Sequence, residues 1–123
     1  MGRLPFVVRE LSADERDVLR RALQYGPAHG KDPLLLDQIE SLQVVGRCEC
    51  GCASVDFRLL RSGETAEVVA DAVGATSAHE QVGIIVFALG SDLQRLEIVG
   101  YSAEPPPLPV PSTIRGWEGK GAT

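Results

Sequence analysis

The first apolar pattern in the chain has the 3.6-residue spacing of a helix. Charged residues separate four apolar positions that share one helix face, namely Val18, Leu19, Ala22 and Leu23. Ser12 with Glu15 three residues later is a capping box, which pairs two otherwise free amide groups at a helix start. Gly26 and Pro27 then end the pattern. The sequence therefore predicts a helix over residues 12–25.

A second helical pattern follows at residues 33–42. Asp32 is a good N-cap, and Pro33 suits the first helical position because an N–H there would have no helical partner. The inward face of this helix is predicted to carry Leu35, Ile39 and Leu42.

Beyond residue 42 the apolar period shortens to two, which is typical of strands. Residues 82–89 are apolar on both faces and suit a central strand, while the alanines in 66–73 leave a helix open there. A hairpin loop is predicted at 90–92. The predicted strands are 42–48, 53–60, 66–73, 82–89 and 93–101.

This order of elements predicts an α+β fold, with two N-terminal helices packed on one face of an antiparallel β-meander of four to five strands. The helices and the sheet are expected to share one core, built from Leu19, Leu23, Leu35, Ile39, Val55, Phe57, Leu59, Ile85, Phe87, Leu96 and Ile98.

Five prolines in residues 105–111 cannot donate to a sheet and favour an extended polyproline segment. This segment is predicted to dock on its own domain, with Leu108 and Val110 as apolar anchors, and docking in a partner's groove is the alternative. The predicted organisation is a single domain at 1–111 and a weakly ordered tail at 112–123, in which Trp117 is either disordered or packed nearby.

The net charge and the lengths of the apolar segments disfavour two kinds of binding partner, nucleic acids and membranes. Seventeen acidic against twelve basic residues give a net charge of −5, which disfavours binding to the phosphates of nucleic acids. The N-terminus lacks an apolar core of signal-peptide length, and the longest apolar run is far shorter than a membrane span. We therefore expect a cytoplasmic protein that binds neither nucleic acid nor a membrane.

The only three cysteines of the chain, Cys48, Cys50 and Cys52, lie within five residues. In an extended strand they would share one face at intervals of about 6–7 Å, too far apart for one ion. Bent around Gly51, their sulfurs would converge, with His29 or His79 as the remaining candidate zinc ligand.

The favoured interpretation is a hairpin tip with reduced, metal-free thiols, a positive φ at Gly51 and no cofactor. Zinc bound by Cys48, Cys50 and Cys52 is the alternative, and a reactive thiol is a further one.

Outside the cysteine cluster, the sequence offers few candidate catalytic or binding residues. Asp56 is expected to be solvated or paired with Arg47 or Arg58. No phosphate loop, nucleophile elbow or zinc-protease helix motif occurs in the chain. The sequence therefore assigns no catalytic residue and favours a protein that is not an enzyme.

The stretch at 47–57, the segment at 96–101 and the prolines at 105–109 resemble a family of small uncharacterised bacterial proteins, mainly actinobacterial. The shared features are an Arg-Cys-x-Cys-Gly-Cys-x-Ser-Val-Asp-Phe turn and a proline-rich C-terminal segment. The resemblance implies a bacterial, cytosolic, stand-alone domain and brings no activity with it.

Small size, acidic charge and the lack of catalytic motifs favour a non-catalytic protein-interaction module, such as an immunity or antitoxin-like protein. Its partner would be an unknown protein or a second copy in a homodimer. The alternative function is a metal- or redox-active thiol protein that uses the turn at Cys48, Cys50 and Cys52.

Overall fold

The computed structural model describes residues 8–28, 32–102 and 104–117 of the chain. These residues form an α+β fold, in which helix packs on antiparallel sheet. The elements in chain order are β1 (Arg9–Glu10), α1 (Ala13–Tyr25), α2 (Pro33–Asp37), a 3₁₀ turn (Ile39–Ser41), β2 (Gln43–Val44), β3 (Gly46–Arg47), β4 (Val55–Asp56), β5 (Glu67–Ala75), β6 (Gln81–Leu89), β7 (Asp92–Val99), a second 3₁₀ turn (Pro111–Thr113) and β8 (Arg115–Gly116).

The predicted first helix is confirmed as α1. The Ser12 side chain accepts a hydrogen bond from the Glu15 amide, and the Glu15 carboxylate accepts one from the Ser12 amide, so the capping box is complete. The Gly26 amide donates to the Ala22 carbonyl at the other end. The four predicted apolar positions are all buried, and this face of α1 packs on the large sheet.

The second helix is shorter than the predicted span of 33–42. Asp32 accepts from the Leu34 amide at 2.9 Å, as an N-cap does, but the α-helix ends at Asp37. Gln38 then turns toward the neighbouring hairpin, where its Oε1 accepts from the Leu93 amide at 2.9 Å. A two-residue strand, β1, also precedes α1, so the prediction of two helices at the N-terminus is wrong.

The predicted meander of four to five strands is wrong as well, because the described residues contain eight strands in two sheets. The large sheet has the order β3-β4-β7-β6-β5-β8, and β1 pairs with β2 in a separate ladder. The predicted strand at 42–48 is divided between the two sheets: β2 pairs with β1, while β3 pairs with β4. Strands β5, β6 and β7 follow one another as the predicted antiparallel meander. Strands β3 and β4 are also antiparallel neighbours, but β4 lies beside β7 and not beside β5.

The core lies between α1 and one face of the large sheet. Ile84 and Val86 of β6 are fully buried there, together with Leu96 and Ile98 of β7. Their neighbours Ile85 and Phe87 point to the opposite face and are only half-buried, since successive strand residues alternate in direction. Both had been predicted as core residues, as had Leu59, whose side chain is 56% exposed.

The proline segment lies along the sheet. The Pro106 carbonyl accepts from the Ala53 amide at 3.0 Å, and the Val110 amide donates to the Ala75 carbonyl at 2.8 Å. Pro109 is fully buried. These contacts place the start of the segment beside the cysteine turn and its end beside the last residues of β5.

Part of the predicted tail at 112–123 is also structured. Ile114 belongs to the core, and β8 pairs with the edge of β5 in the register Val73 with Arg115. The Trp117 indole donates to the Asp71 carboxylate at 2.8 Å. Residues 118–123 lie outside the described part of the chain.

Within the described ranges, neither α-helix has the length and apolar character needed to cross a bilayer.

Candidate metal centre

The three cysteines lie on the connection between β3 and β4. These two short strands pair Gly46 with Asp56 and Arg47 with Val55, so the residues between them must reverse direction. Gly51 makes the reversal with a φ of 94°, as predicted. A β-carbon at this position would meet nothing within 4 Å, so the backbone angle, not crowding, favours glycine.

This reversal brings the three sulfurs together. The Sγ atoms of Cys48 and Cys50 are 2.7 Å apart, and the Cys52 amide donates to Cys50 Sγ at 3.3 Å. All three sulfur atoms lie within 4.8 Å of one another, and all three are free thiols. The sulfurs are therefore close enough to hold one metal ion.

The buried side chain of Ser54 fixes the turn at its base. Ser54 is 1% exposed, and its Oγ accepts from the Ile98 amide of β7 at 2.9 Å. The Cys52 thiol donates to the same oxygen at 3.4 Å. The adjacent Ala53 amide donates to the Pro106 carbonyl. Strand β7 and the proline segment together hold the C-terminal side of the turn.

Hydrogen bonds among the sulfurs help to raise the pKa of Cys50 and to lower that of Cys52. The hydrogen bond to Cys48, followed by the one to Cys52, raises the pKa of Cys50 to about 11. Burial works to raise the pKa of Cys52, but hydrogen bonds that Ser54, Cys50 and Cys48 donate to its ionised sulfur outweigh burial and lower the pKa to about 7. At neutral pH the Cys52 sulfur is therefore partly ionised, and thiolate is the form that binds metals.

The donor set is limited to sulfur. Among the described residues, no imidazole or carboxylate joins the three sulfurs within the same distance. His79 is described and lies in the turn between β5 and β6 outside this group, whereas His29 lies outside the described residues. The turn opens onto a shallow cleft of about 350 Å³ that Arg47 and Glu49 also line.

The other polar residue singled out from the sequence, Asp56, is half-buried and paired. Its carboxylate pairs with Arg95 of β7 at 2.7 Å, a partner that the sequence did not predict. Arg58 instead pairs with Glu64 at 3.3 Å. Sequence reasoning missed Arg95 because the pairing depends on β4 lying beside β7.

A groove of about 460 Å³, here called the β4–β7 groove, lies beside this ion pair. It occupies the sheet face opposite α1. Its walls include Leu60, Phe87 and Glu64, and the exposed Leu59 stands at its edge. The sequence predicted Leu59 and Phe87 to be buried in the core, so it did not reveal this groove.

Comparison of the chain with protein-family models, curated proteins and solved structures found no match. The resemblance to a bacterial family at 47–57, at 96–101 and at the prolines therefore stays a prediction.

Proposed function

We propose that this protein binds a zinc ion through Cys48, Cys50 and Cys52. The observation that carries the proposal is the convergence of three sulfur atoms within 4.8 Å. Zinc is bound by thiolates at about 2.3 Å in tetrahedral geometry, which places pairs of ligand sulfurs roughly 3.8 Å apart. The sulfurs of Cys48 and Cys50 are closer than that, at 2.7 Å, and no pair is further apart than 4.8 Å, so small rotations of the side chains about their χ1 bonds would bring the sulfurs onto one ion.

The chemistry of the donors also supports zinc. Thiolates are soft ligands that select zinc or Cu(I) over the hard ions calcium and magnesium. The lowered pKa of Cys52 supplies part of the negative charge that the ion requires. Three protein ligands leave one position for water or an external ligand, an arrangement typical of zinc sites that exchange ligands and not of closed structural sites.

The test is a titration of the reduced protein with zinc, followed by native mass spectrometry. We expect one zinc per chain. Replacing Cys48, Cys50 or Cys52 singly by serine should weaken binding by more than about 100-fold, beyond the effect of changing residues outside the ligand shell. Substituting Co²⁺ should give the visible absorption of a tetrahedral thiolate complex.

Glu49→Gln is the matched control, because Glu49 lines the same cleft without belonging to the sulfur group. This variant should bind zinc as the wild type does. Failure of the reduced wild type to bind zinc at micromolar concentration would contradict the proposal, and so would full binding by Cys52→Ser. Cu(I), titrated in parallel, identifies the preferred soft ion.

A second proposal is a protein-interaction role through the β4–β7 groove, with a second copy of the chain as the occupant. The supporting observation is that this groove, lined by Phe87 and by charged side chains, lies beside the exposed side chains of Leu59 and Leu60. Such a surface is able to meet its own copy across a two-fold axis, the commonest symmetry of soluble oligomers. The immunity or antitoxin-like version of this role stays a prediction.

Sedimentation equilibrium tests the second proposal. The wild type should be a dimer, and Leu59→Glu should be a monomer because it places a charge in the contact. Leu34→Glu is the control, since Leu34 is equally exposed but lies on α2. A monomeric wild type at high micromolar concentration would exclude the homodimer.

A further inference from the structure

Cys48 and Cys50 are placed to form a disulfide bond with each other. Their sulfur atoms are 2.7 Å apart, and a disulfide bond measures about 2.05 Å, so closure needs a movement of only about 0.7 Å. Both residues lie in a surface turn that ends at Gly51, where the backbone already adopts a glycine conformation. No rearrangement of the sheet is required.

The surroundings favour this pair over a pair that includes Cys52. Cys50 is exposed, and Cys48 lies at the cleft beside it, so a small external disulfide is able to reach both sulfurs. Cys52 lines the same cleft as Cys48, but its thiol donates to the buried Ser54 at the base of the hairpin. This contact, and not a difference in exposure, distinguishes the third sulfur from the closest pair.

We propose that Cys48 and Cys50 undergo thiol–disulfide exchange with small-molecule disulfides of the oxidised-glutathione class, and that closure of this bond releases the metal. The exchange is a further activity of the turn, and the release of metal rests on the proposed zinc function. The product is an intramolecular disulfide with Cys52 left as a single thiol.

The exchange balances in two displacements. The Cys48 thiol loses its proton and attacks one sulfur of the external disulfide, whose S–S bond breaks, and the other half leaves as a thiolate. The second thiol of the pair loses its proton and attacks the protein-bound sulfur, so the Cys48–Cys50 bond forms and the second half leaves. The protein loses two electrons and two protons, and the external disulfide becomes two thiols.

Closure removes two of the three metal ligands. A disulfide sulfur has no negative charge, and thiolate is the species that coordinates zinc. Cys52 alone does not hold the ion in the absence of other ligands from the described residues. The bound zinc therefore leaves, and reduction of the disulfide restores the site.

The experiment begins with reduced, metal-free protein and oxidised glutathione, followed by alkylation. Trypsin cleaves after Arg47 and Arg58, so one peptide, 48–58, carries all three cysteines. We expect this peptide to be lighter by two hydrogen atoms and alkylated once, at Cys52. Cys52→Ser should form the same disulfide, whereas Cys48→Ser should not form it. Circular dichroism confirms that each variant is folded.

The second arm adds oxidised glutathione to zinc-loaded protein, with a colorimetric indicator for free zinc. Zinc should be released together with formation of the Cys48–Cys50 disulfide and taken up again after reduction. A disulfide between Cys50 and Cys52, or three alkylated thiols in the metal-free protein, would overturn the exchange. Zinc retained after closure would overturn the release alone.

The experiments test the proposed zinc binding and the proposed disulfide exchange independently of each other. If the reduced protein binds no zinc but forms the Cys48–Cys50 disulfide, the zinc function and the release are overturned and the exchange stands. If it binds zinc and forms no disulfide, the exchange is overturned and the zinc function stands.

Discussion

Replacement of Ile114 by alanine tests whether the residues after the prolines belong to the core. Ile114 is 5% exposed, and a β-carbon built on Gly74 of β5 would lie 3.2 Å from its Cγ1. The substitution removes three carbon atoms, worth about 2.4 kcal/mol at about 0.8 kcal/mol each. Part of the cavity would remain, which brings the expected loss to about 3 kcal/mol, within the range for buried isoleucine.

That loss converts into a large shift in melting temperature. A chain of 123 residues has an unfolding entropy of about 0.26 kcal/mol per kelvin, so 3 kcal/mol lowers Tm by about 12 °C. Thermal unfolding followed by circular dichroism, with urea unfolding as a second measurement, determines both quantities.

Val110→Ala is the matched control from the same segment. The Val110 side chain is 36% exposed, and its sheet contact is made by the backbone amide, which alanine retains. We expect a loss of about 1 kcal/mol or less. If Ile114→Ala melts within about 3 °C of the wild type, or no lower than Val110→Ala, the segment after the prolines is not part of the core.

Three further predictions concern acid stability, the turn and thiol reactivity. Burial raises the pKa of Glu15, but its hydrogen bonds with Arg9 and the Ser12 amide lower the pKa overall, below the ordinary 4.5. The stabilisation of the fold that comes from this lowered pKa is complete above pH 4.5 and is lost as the pH falls through the lower folded pKa. In this range the urea midpoint of Glu15→Gln should therefore depend less on pH than the urea midpoint of the wild type. Gly51→Val should lower the urea midpoint by the equivalent of about 1–3 kcal/mol because of its positive φ, whereas Cys50→Ser at an exposed site should change it by about 0.5 kcal/mol or less; equal effects would refute this. Alkylation of Cys52 in metal-free protein should accelerate as the pH rises, with its midpoint near the pKa of about 7, and a midpoint near 9 would contradict the hydrogen-bond explanation.

The sequence predicted helix α1 well because its determinants are local. The capping box needs only Ser12 and Glu15, and the apolar face needs only the spacing of residues within the helix. The second helix was predicted too long because Gln38 bonds to the β7 backbone at Leu93, a contact that no local pattern contains.

The division of the strands was not predictable in the same way. Residues 42–48 have one continuous strand pattern, but Val44 pairs with β1 and Gly46 with β4. Strand β6 is apolar on both faces, so its pattern could not decide whether Ile84 or Ile85 faces α1. Those choices are made by pairing between strands distant in sequence.

The cysteine turn combines both kinds of determinant. The spacing of the thiols and the glycine at 51 predicted that the sulfurs converge if the chain bends, and the structure contains that bend. The anchoring of Ser54 to Ile98 and of Ala53 to Pro106 comes from β7 and the proline segment, which lie about 45 to 55 residues further along the chain. A surface turn without such anchors would sample many conformations, and ordering three thiols around one ion would then oppose binding entropically. Because the C-terminal half of the chain fixes one side of the turn in advance, the folded sheet is itself part of the candidate site. If the chain binds zinc as proposed, loss of the Ser54 or Pro106 contacts should weaken that binding without removing a ligand.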